Sequence, residues 1–350
     1  MFSILRSFVW MKLCVLGCLL ASCGSGKQDW LTPTSTGRPY ELLVVVDSGL
    51  WNRPAGRALF EVLDEDMPGL PQAERAFRLM YASPRHFDAI LKLVRNILVV
   101  QVDSIHYAQA SLAYAEDVYA FPQAILAIQA PDEAFFVRFV QQHRADILDY
   151  FTQAERQRRI TWLAENHNRH IGKLAEEMFG CTVWIPAELV SYKTGKDFLW
   201  AGNNGASVDE NFVMYAFPYT DADVFTKSAF IHKRDSVMKA NMLGAREGMY
   251  MVTDSFLTDV RPITVQGQPA WEARGLWRVQ GDFMGGPFVS HVRVDEVNRR
   301  IVASEAFVYA PGHLKRNLVR QLEASLYTLM LPGVGQTDTI EIKDMNIKKE

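Results

Sequence analysis

The sequence predicts an α/β (α+β) protein: two α/β sandwich domains with mixed or antiparallel sheets, joined by long helices. Three observations carry this. Over residues 39–130, continuous apolar runs such as Leu42-Leu43-Val44-Val45-Val46 and Ile97-Leu98-Val99-Val100 alternate with helical patterns, as strands buried on both faces do. Residues 132–179 hold no proline and a single glycine, with apolar positions at helical spacing. Beyond residue 180, short runs are separated by turn residues, the pattern of a meander.

Taken in order, the first strand is expected from Tyr40 and a helix over 57–63, with Ala58, Leu59, Val62 and Leu63 inward. A second strand at 77–81 precedes a helix at 87–94 that Ser83 or Pro84 starts. Strands follow at 97–102 and, after a long loop around His106, at 124–128. Phe135, Phe136, Phe139, Val140, Ile147, Leu148 and Phe151, then Ile160, Leu163, Ile171, Leu174 and Met178, read as two helices or one bent helix between the domains. The polar segment 153–159 reads as its exposed joint. Strands at 182–186 and 211–218 and a helix at 222–242 open the second half. Strands at 250–254, 263–265, 270–278, 288–294 and 301–309 come next, with hairpin turns at 265–268 and 295–298. A helix over 313–331, with Leu314, Leu318, Leu322 and Leu326 inward, closes the domain.

The first 22 residues form a separate unit. Met11-Lys12 precedes a short apolar run that ends in Leu20-Ala21-Ser22-Cys23-Gly24. A charged start, an apolar core too short for a bilayer and a small-residue cleavage site make a signal peptide. Translation from Met1 or from Met11 is compatible with this pattern. The expected organisation is a signal at 1–22, a flexible tether at 23–38 and an N-terminal α/β domain with a long helical segment at 39–179. A C-terminal α/β/α domain at 180–332 and a disordered tail at 333–350 complete it. Removing the signal leaves 328 of 350 residues and takes the formal charge from −3 to −5 with the loss of Arg6 and Lys12. That mild acidity gives no electrostatic case for nucleic acid. Of four cysteines only Cys181 lies outside the signal and position 23, so no intrachain disulfide is expected. Its strand-like setting beside Val183 and Trp184 predicts a buried, inert thiol.

The stretch ending at Cys23 resembles the lipobox of bacterial lipoproteins. The resemblance implies lipidation of Cys23 through a thioether, acylation of the new amino group with palmitate-type chains, and stable membrane attachment. Gly24 rather than aspartate follows Cys23, so the expected location is the cell envelope, at the periplasmic face of an outer membrane. Gly37-Arg38-Pro39-Tyr40-Glu41, Gly285-Gly286-Pro287-Phe288 and the Cys23 motif together resemble a family of uncharacterised Bacteroidota lipoproteins (domain of unknown function 4837), which brings no activity with it. Residues 181–331 also resemble a PsbP-like sandwich, through Gly267-Gln268-Pro269-Ala270 and Leu322-Glu323-Ala324-Ser325-Leu326. That resemblance implies binding to or assembly with other proteins.

No motif compels a catalytic assignment, and no cofactor or metal is expected. His167 and His170 share a helix face, but their polar neighbours fit a solvated surface and the His-Glu-x-x-His pattern is absent. Alternation places Trp271, Ala273, Gly275 and Trp277 on one side of a strand, with Glu272, Arg274 and Arg278 on the other. His291 and Arg293 share one side of the next strand. Arg274, Arg278, His291 and Arg293, beside the Gly285-Gly286 loop, form the candidate binding surface. An ordinary wet sheet face is the competing reading. The expectation is therefore a membrane-anchored, non-catalytic binding or scaffold protein with an envelope protein partner or a small polar ligand. A metal-dependent hydrolase around His167 and His170 and a glycan-binding module are the alternatives.

Overall fold

A computed structural model describes residues 32–333. The signal, Cys23, most of the expected tether and nearly all of the expected tail lie outside the described residues. Among the described residues no helix is long and apolar enough to cross a membrane.

The N-terminal domain runs β1 (Glu41–Val45), α1 (Ser48–Trp51), α2 (Pro54–Leu63), β2 (Arg78–Ala82), β3 (Asn96–Val102), β4 (Ser111–Glu116), β5 (Ala124–Ala130), α3 (Glu133–Gln142) and α4 (Arg144–Glu165). Its sheet has the order β2-β1-β3-β5-β4, with β4 alone antiparallel to its neighbour. The apolar runs alternate sides as a pleat requires. Leu42, Val44, Leu98, Val100, Leu126 and Ile128 pack under α2, α3 and α4 against Phe136, Val140 and Phe151. Leu43, Val45, Ile97 and Ile125 face the other way, into a smaller cluster with Met80, Phe87 and Leu91. The expected helix at 87–94 is instead a single 3₁₀ turn, Leu91–Leu93, with another before it at Pro84–His86. Asp88 accepts from the backbone of Ile90 and Leu91, which favours a turn over continued helix. The chain is already packed at Thr34 and Thr36, which bridge to Phe121 and Val94.

The expected helical stretch is three helices. Asp132 caps α3 by accepting from Phe135 N–H at 2.9 Å, and Asn168 caps α5 (Arg169–Phe179). Gly180 ends α5 in the left-handed region, at φ 61°. The polar segment 153–159 is no joint. It lies within α4, where Glu155 is buried and accepts from Asn96, Arg95 and Arg158.

After α5 come β6 (Ser191–Gly195), β7 (Phe198–Gly202), β8 (Asp209–Pro218), α6 (Lys227–Asn241), β9 (Met251–Thr253), β10 (Asp259–Val265), β11 (Gln268–Val279), β12 (Gly285–Asp295), β13 (Arg300–Tyr309) and α7 (Arg316–Leu326). The sheet is antiparallel, ordered β10-β11-β12-β13-β8-β7-β6, with β9 paired to β11. No strand forms at 182–186, where Thr182 makes only a bridge to Met330. One face, with Phe212, Met214, Val289 and Val302, is covered by α5 and α7. The other, with Tyr215, Trp277, Phe288 and Phe307, is covered by α6. Leu322 and Leu326 point inward as expected, but Leu314 precedes the helix and is exposed. The two domains thus form an α+β fold built on two sheets. Cys181 is a buried free thiol whose pKa burial pushes up to about 12.

The domains are joined by more than the chain. Helix α7 has no cap of its own: Lys315 precedes it without a capping side chain. Glu74 of the first domain supplies one, accepting from Lys315 N–H at 2.7 Å and Arg316 N–H at 2.9 Å. A carboxylate there satisfies two helix-end donors and meets the positive end of the helix dipole.

Candidate functional site

A cavity of about 480 Å³ lies between the domains. One wall is α4, where Ala145, Leu148, Asp149, Thr152 and Arg156 recur three and four apart and so share a face. The other combines β10 and β11, through Arg261, Glu272 and Arg274, with Arg320 and Glu323 of α7 and Tyr327 beyond it. The loop with Met67 and Pro68 closes one side. Gly69 follows at φ +77°, and a Cβ there would lie 2.4 Å from Arg274 Cγ, so this approach of loop to strand requires glycine.

The floor is a charge network. Arg274 Nη2 donates to Glu323 at 2.7 Å and to Glu272 at 3.1 Å, and Arg261 Nε donates to Glu272 at 3.0 Å. Burial opposes the Glu272 charge, yet the guanidinium of Arg274 beside it leads the interactions that hold the carboxyl well below its usual range. Burial of the Arg274 guanidinium is likewise outweighed, by Glu323 and Glu272, so its pKa is raised. His291 lies fully buried under this floor, its Nε2 3.9 Å from Glu272 and its ring 4.7 Å from that of Tyr327. Neither ring nitrogen has a hydrogen-bond partner, and burial lowers its pKa toward the neutral form.

Two arginines above the floor differ from the rest. Arg156 reaches from the first domain over the Tyr327 ring, at 3.8 Å. Arg320 reaches back from the second domain over Tyr40, at 4.6 Å, and donates to Thr152 Oγ1 at 3.1 Å. Among the described residues neither guanidinium is in salt-bridge range of a carboxylate, whereas Arg144 pairs with Glu65. Five carboxylates and five arginines line the cavity, and Arg156 and Arg320 are the two arginines outside salt-bridge range, each backed by an aromatic face. A guanidinium so placed can meet an anionic group.

The expected binding surface does not exist as one surface. Arg274 joins the cavity floor, and His291 and Arg293 are buried beneath α7, because helices cover both sides of this sheet. Arg293 donates to the Leu329 carbonyl at 2.6 Å. Arg278 is exposed and donates to Gln280, while Gly286 packs under Val308, where a Cβ would meet its carbonyl at 2.0 Å. Gly285 pairs with Arg278 across the strands. The alternation itself is right: Ala273 and Trp277 enter the core under α6.

His167 and His170 do not form a ligand set. His167 Nδ1 lies 2.9 Å from the Leu163 carbonyl with its ring over Trp184, and His170 packs edge-on to Tyr192. The group with metal-ligand types in reach is Glu272, His291 and Glu323, whose ligand atoms lie within 4.8 Å of one another. Arg274 stands between those carboxylates and Arg261 adds a second cation. The site thus already carries the positive charge a metal would bring, and the donor set does not fit one. Sequence reasoning missed Arg156, Arg320, Glu323 and Tyr327. A single signal was available: two long helices rich in arginine with tyrosines nearby, which spacing alone cannot pair.

Two family models match. Residues 168–328 match the family described as Domain of unknown function (DUF4837), and residues 35–164 match Domain of unknown function (DUF8532). The chain thus combines two uncharacterised domains, with the first-named match confined to the second half. A comparison with curated proteins gave no match.

Proposed function

We propose that the protein is a non-catalytic binding protein of the bacterial cell envelope, anchored through lipid on Cys23, whose interdomain cavity takes a small polar ligand bearing an anionic group. The observation that carries the binding reading is the pair Arg156 and Arg320, unpaired by any carboxylate among the described residues and facing one cavity from opposite domains. Of the carboxylates lining the cavity, Glu272 and Glu323 are committed to Arg274 and Glu65 to Arg144. The lipobox sequence supports the anchor, and Gly24 after Cys23 supports the periplasmic face of an outer membrane. The match at 168–328 supports kinship with the Bacteroidota lipoproteins that the short motifs resemble. Helices on both faces of the second sheet support the PsbP-like likeness, and with it a partner protein.

Thermal unfolding with inorganic phosphate, citrate and a neutral polyol as probes tests the cavity. At low millimolar concentrations and matched ionic strength, below general salt and osmolyte effects, the anions raise Tm, the polyol does not, and Arg156→Met with Arg320→Met removes the anion effect. Equal stabilisation of wild type and the double variant by the anions overturns the reading. A stoichiometric metal held by Glu272, His291 and Glu323 in protein purified without chelators would contradict the ion-paired floor and this reading with it.

A further inference from the structure

We infer that the apolar patch beside the point where the chain enters the fold is a lipid-contacting face, turned to the bilayer that holds Cys23. This rests on the lipid-anchor reading and deepens it. The chain enters along two loops. Phe121 N–H donates to the Pro33 carbonyl at 2.8 Å, Ser35 N–H to the Phe121 carbonyl at 2.9 Å, and Thr36 N–H to the Leu93 carbonyl at 2.7 Å. Those loops carry side chains that a water-facing surface does not need. Ile90 is 75% exposed, Phe121 58%, Val118 52% and Tyr119 37%. Gln123 binds the loops together, its Nε2 donating to the carbonyls of Lys92 and Val94 at 2.7 and 2.8 Å. The Phe87 and Tyr119 rings lie 6.0 Å apart, and the Lys92 ammonium sits within 5.7 Å of both.

Length makes the bilayer the occupant. Nine residues separate Cys23 from Pro33, which makes ten steps from Cα to Cα. No conformation of that stretch spans more than about 36 Å, at 3.6 Å per residue. Acyl chains on Cys23 therefore keep this edge of the first domain near the membrane, whatever path the stretch takes. Aromatic and aliphatic tips beside a lysine are the composition of an interfacial contact. The nearby acids Asp88 and Asp117 are tied back onto backbone N–H groups of Ile90, Leu91 and Gln123. The exposed tips Phe256 and Phe283 belong to the second domain, and the chain entry at 33–36 bonds to loops of the first.

The test labels the full chain. Phe121→Cys and, as control, Phe256→Cys are expressed from the whole gene, purified from membranes with the N-terminal peptide checked by mass spectrometry, and spin-labelled. Cys181 is buried and stays unlabelled. The protein is placed in vesicles of phosphatidylethanolamine and phosphatidylglycerol. A label at 121 is expected to meet oxygen more readily than a water-soluble nickel chelate, and a label at 256 the reverse. Equal aqueous exposure at both sites, on protein whose Cys23 is acylated, overturns the lipid face and leaves the anchor standing. An unacylated N-terminal peptide overturns both. A label at 121 immobilised in native membranes but aqueous in pure lipid assigns the patch to a protein partner and overturns the inference.

Discussion

Replacing Glu74 with alanine removes the cap that the first domain lends to α7. The carboxylate is 8% exposed and accepts from two backbone donors, at 2.7 and 2.9 Å. Each buried N–H left without a partner costs about 1–3 kcal/mol. Loss of an ordinary N-cap costs about 0.5–2 kcal/mol. The variant should therefore lose about 2–4 kcal/mol of local stability in α7. At tenfold per 1.4 kcal/mol, its protected amides over 319–326 should exchange roughly 30- to 700-fold faster. Glu74→Gln keeps an acceptor oxygen and should show about half the free-energy effect. The interface itself should survive, since Arg316 also donates to the Arg75 carbonyl at 2.8 Å. Hydrogen exchange read by mass spectrometry at constant pH reports this helix directly. Exchange in Glu74→Ala within threefold of wild type would refute the shared cap. Because α7 carries Arg320 and Glu323, the same variant should weaken anion binding in the cavity.

Other expectations follow from buried charge. Arg234 is fully buried and grips Glu305 through both oxygens, at 2.7 and 2.9 Å. Arg234→Ala leaves that carboxylate unpaired and should cost about 3–5 kcal/mol, whereas Arg234→Met with Glu305→Leu should be far milder, both read by urea unfolding. Cys181 should resist a thiol reagent at pH 8 in the folded protein and react at once in denaturant; rapid native labelling would contradict its burial. The depressed Glu272 carboxyl contributes stability that is complete above its ordinary value of 4.5 and is lost as pH falls below it. Glu272→Gln should therefore flatten the acid limb of a stability–pH profile while lowering stability at neutral pH; an unchanged limb would speak against the ion-pair floor.

The parts legible in the sequence were those set by local pattern. Runs such as 42–46 and 97–102 could only be strands covered on both faces, and they are β1 and β3. Strand β4 was missed because Ser111–Glu116 lies at an edge and is nowhere fully buried, so it carries no apolar run. In the β6–β7 hairpin, β6 is an exposed edge of the same kind, whereas β7 is buried but only five residues long, with Lys196-Asp197 before it and Gly202 at its end. Parity along β11 and β12 was right, but parity states which residues share a face and not whether that face is wet. The second cover, α5 with α7, turned an expected surface into a core. The cavity was out of reach because it is made by distance: Arg156 and Tyr327 come from different domains. Even the polarity of 153–159 misled, since a buried Glu155 paired with Arg95 and Arg158 looks like solvent chemistry when read one residue at a time.

The larger sheet is open, and both of its borders are blunt. On one side β10 carries Pro262 in mid-strand, just after exposed charges at Asp259 and Arg261. On the other, β6 is five residues long and bears Lys193. Proline withholds a donor, and lysine resists close approach of a second chain. Copies crowded side by side thus find no ready template along this sheet for stitching their backbones together.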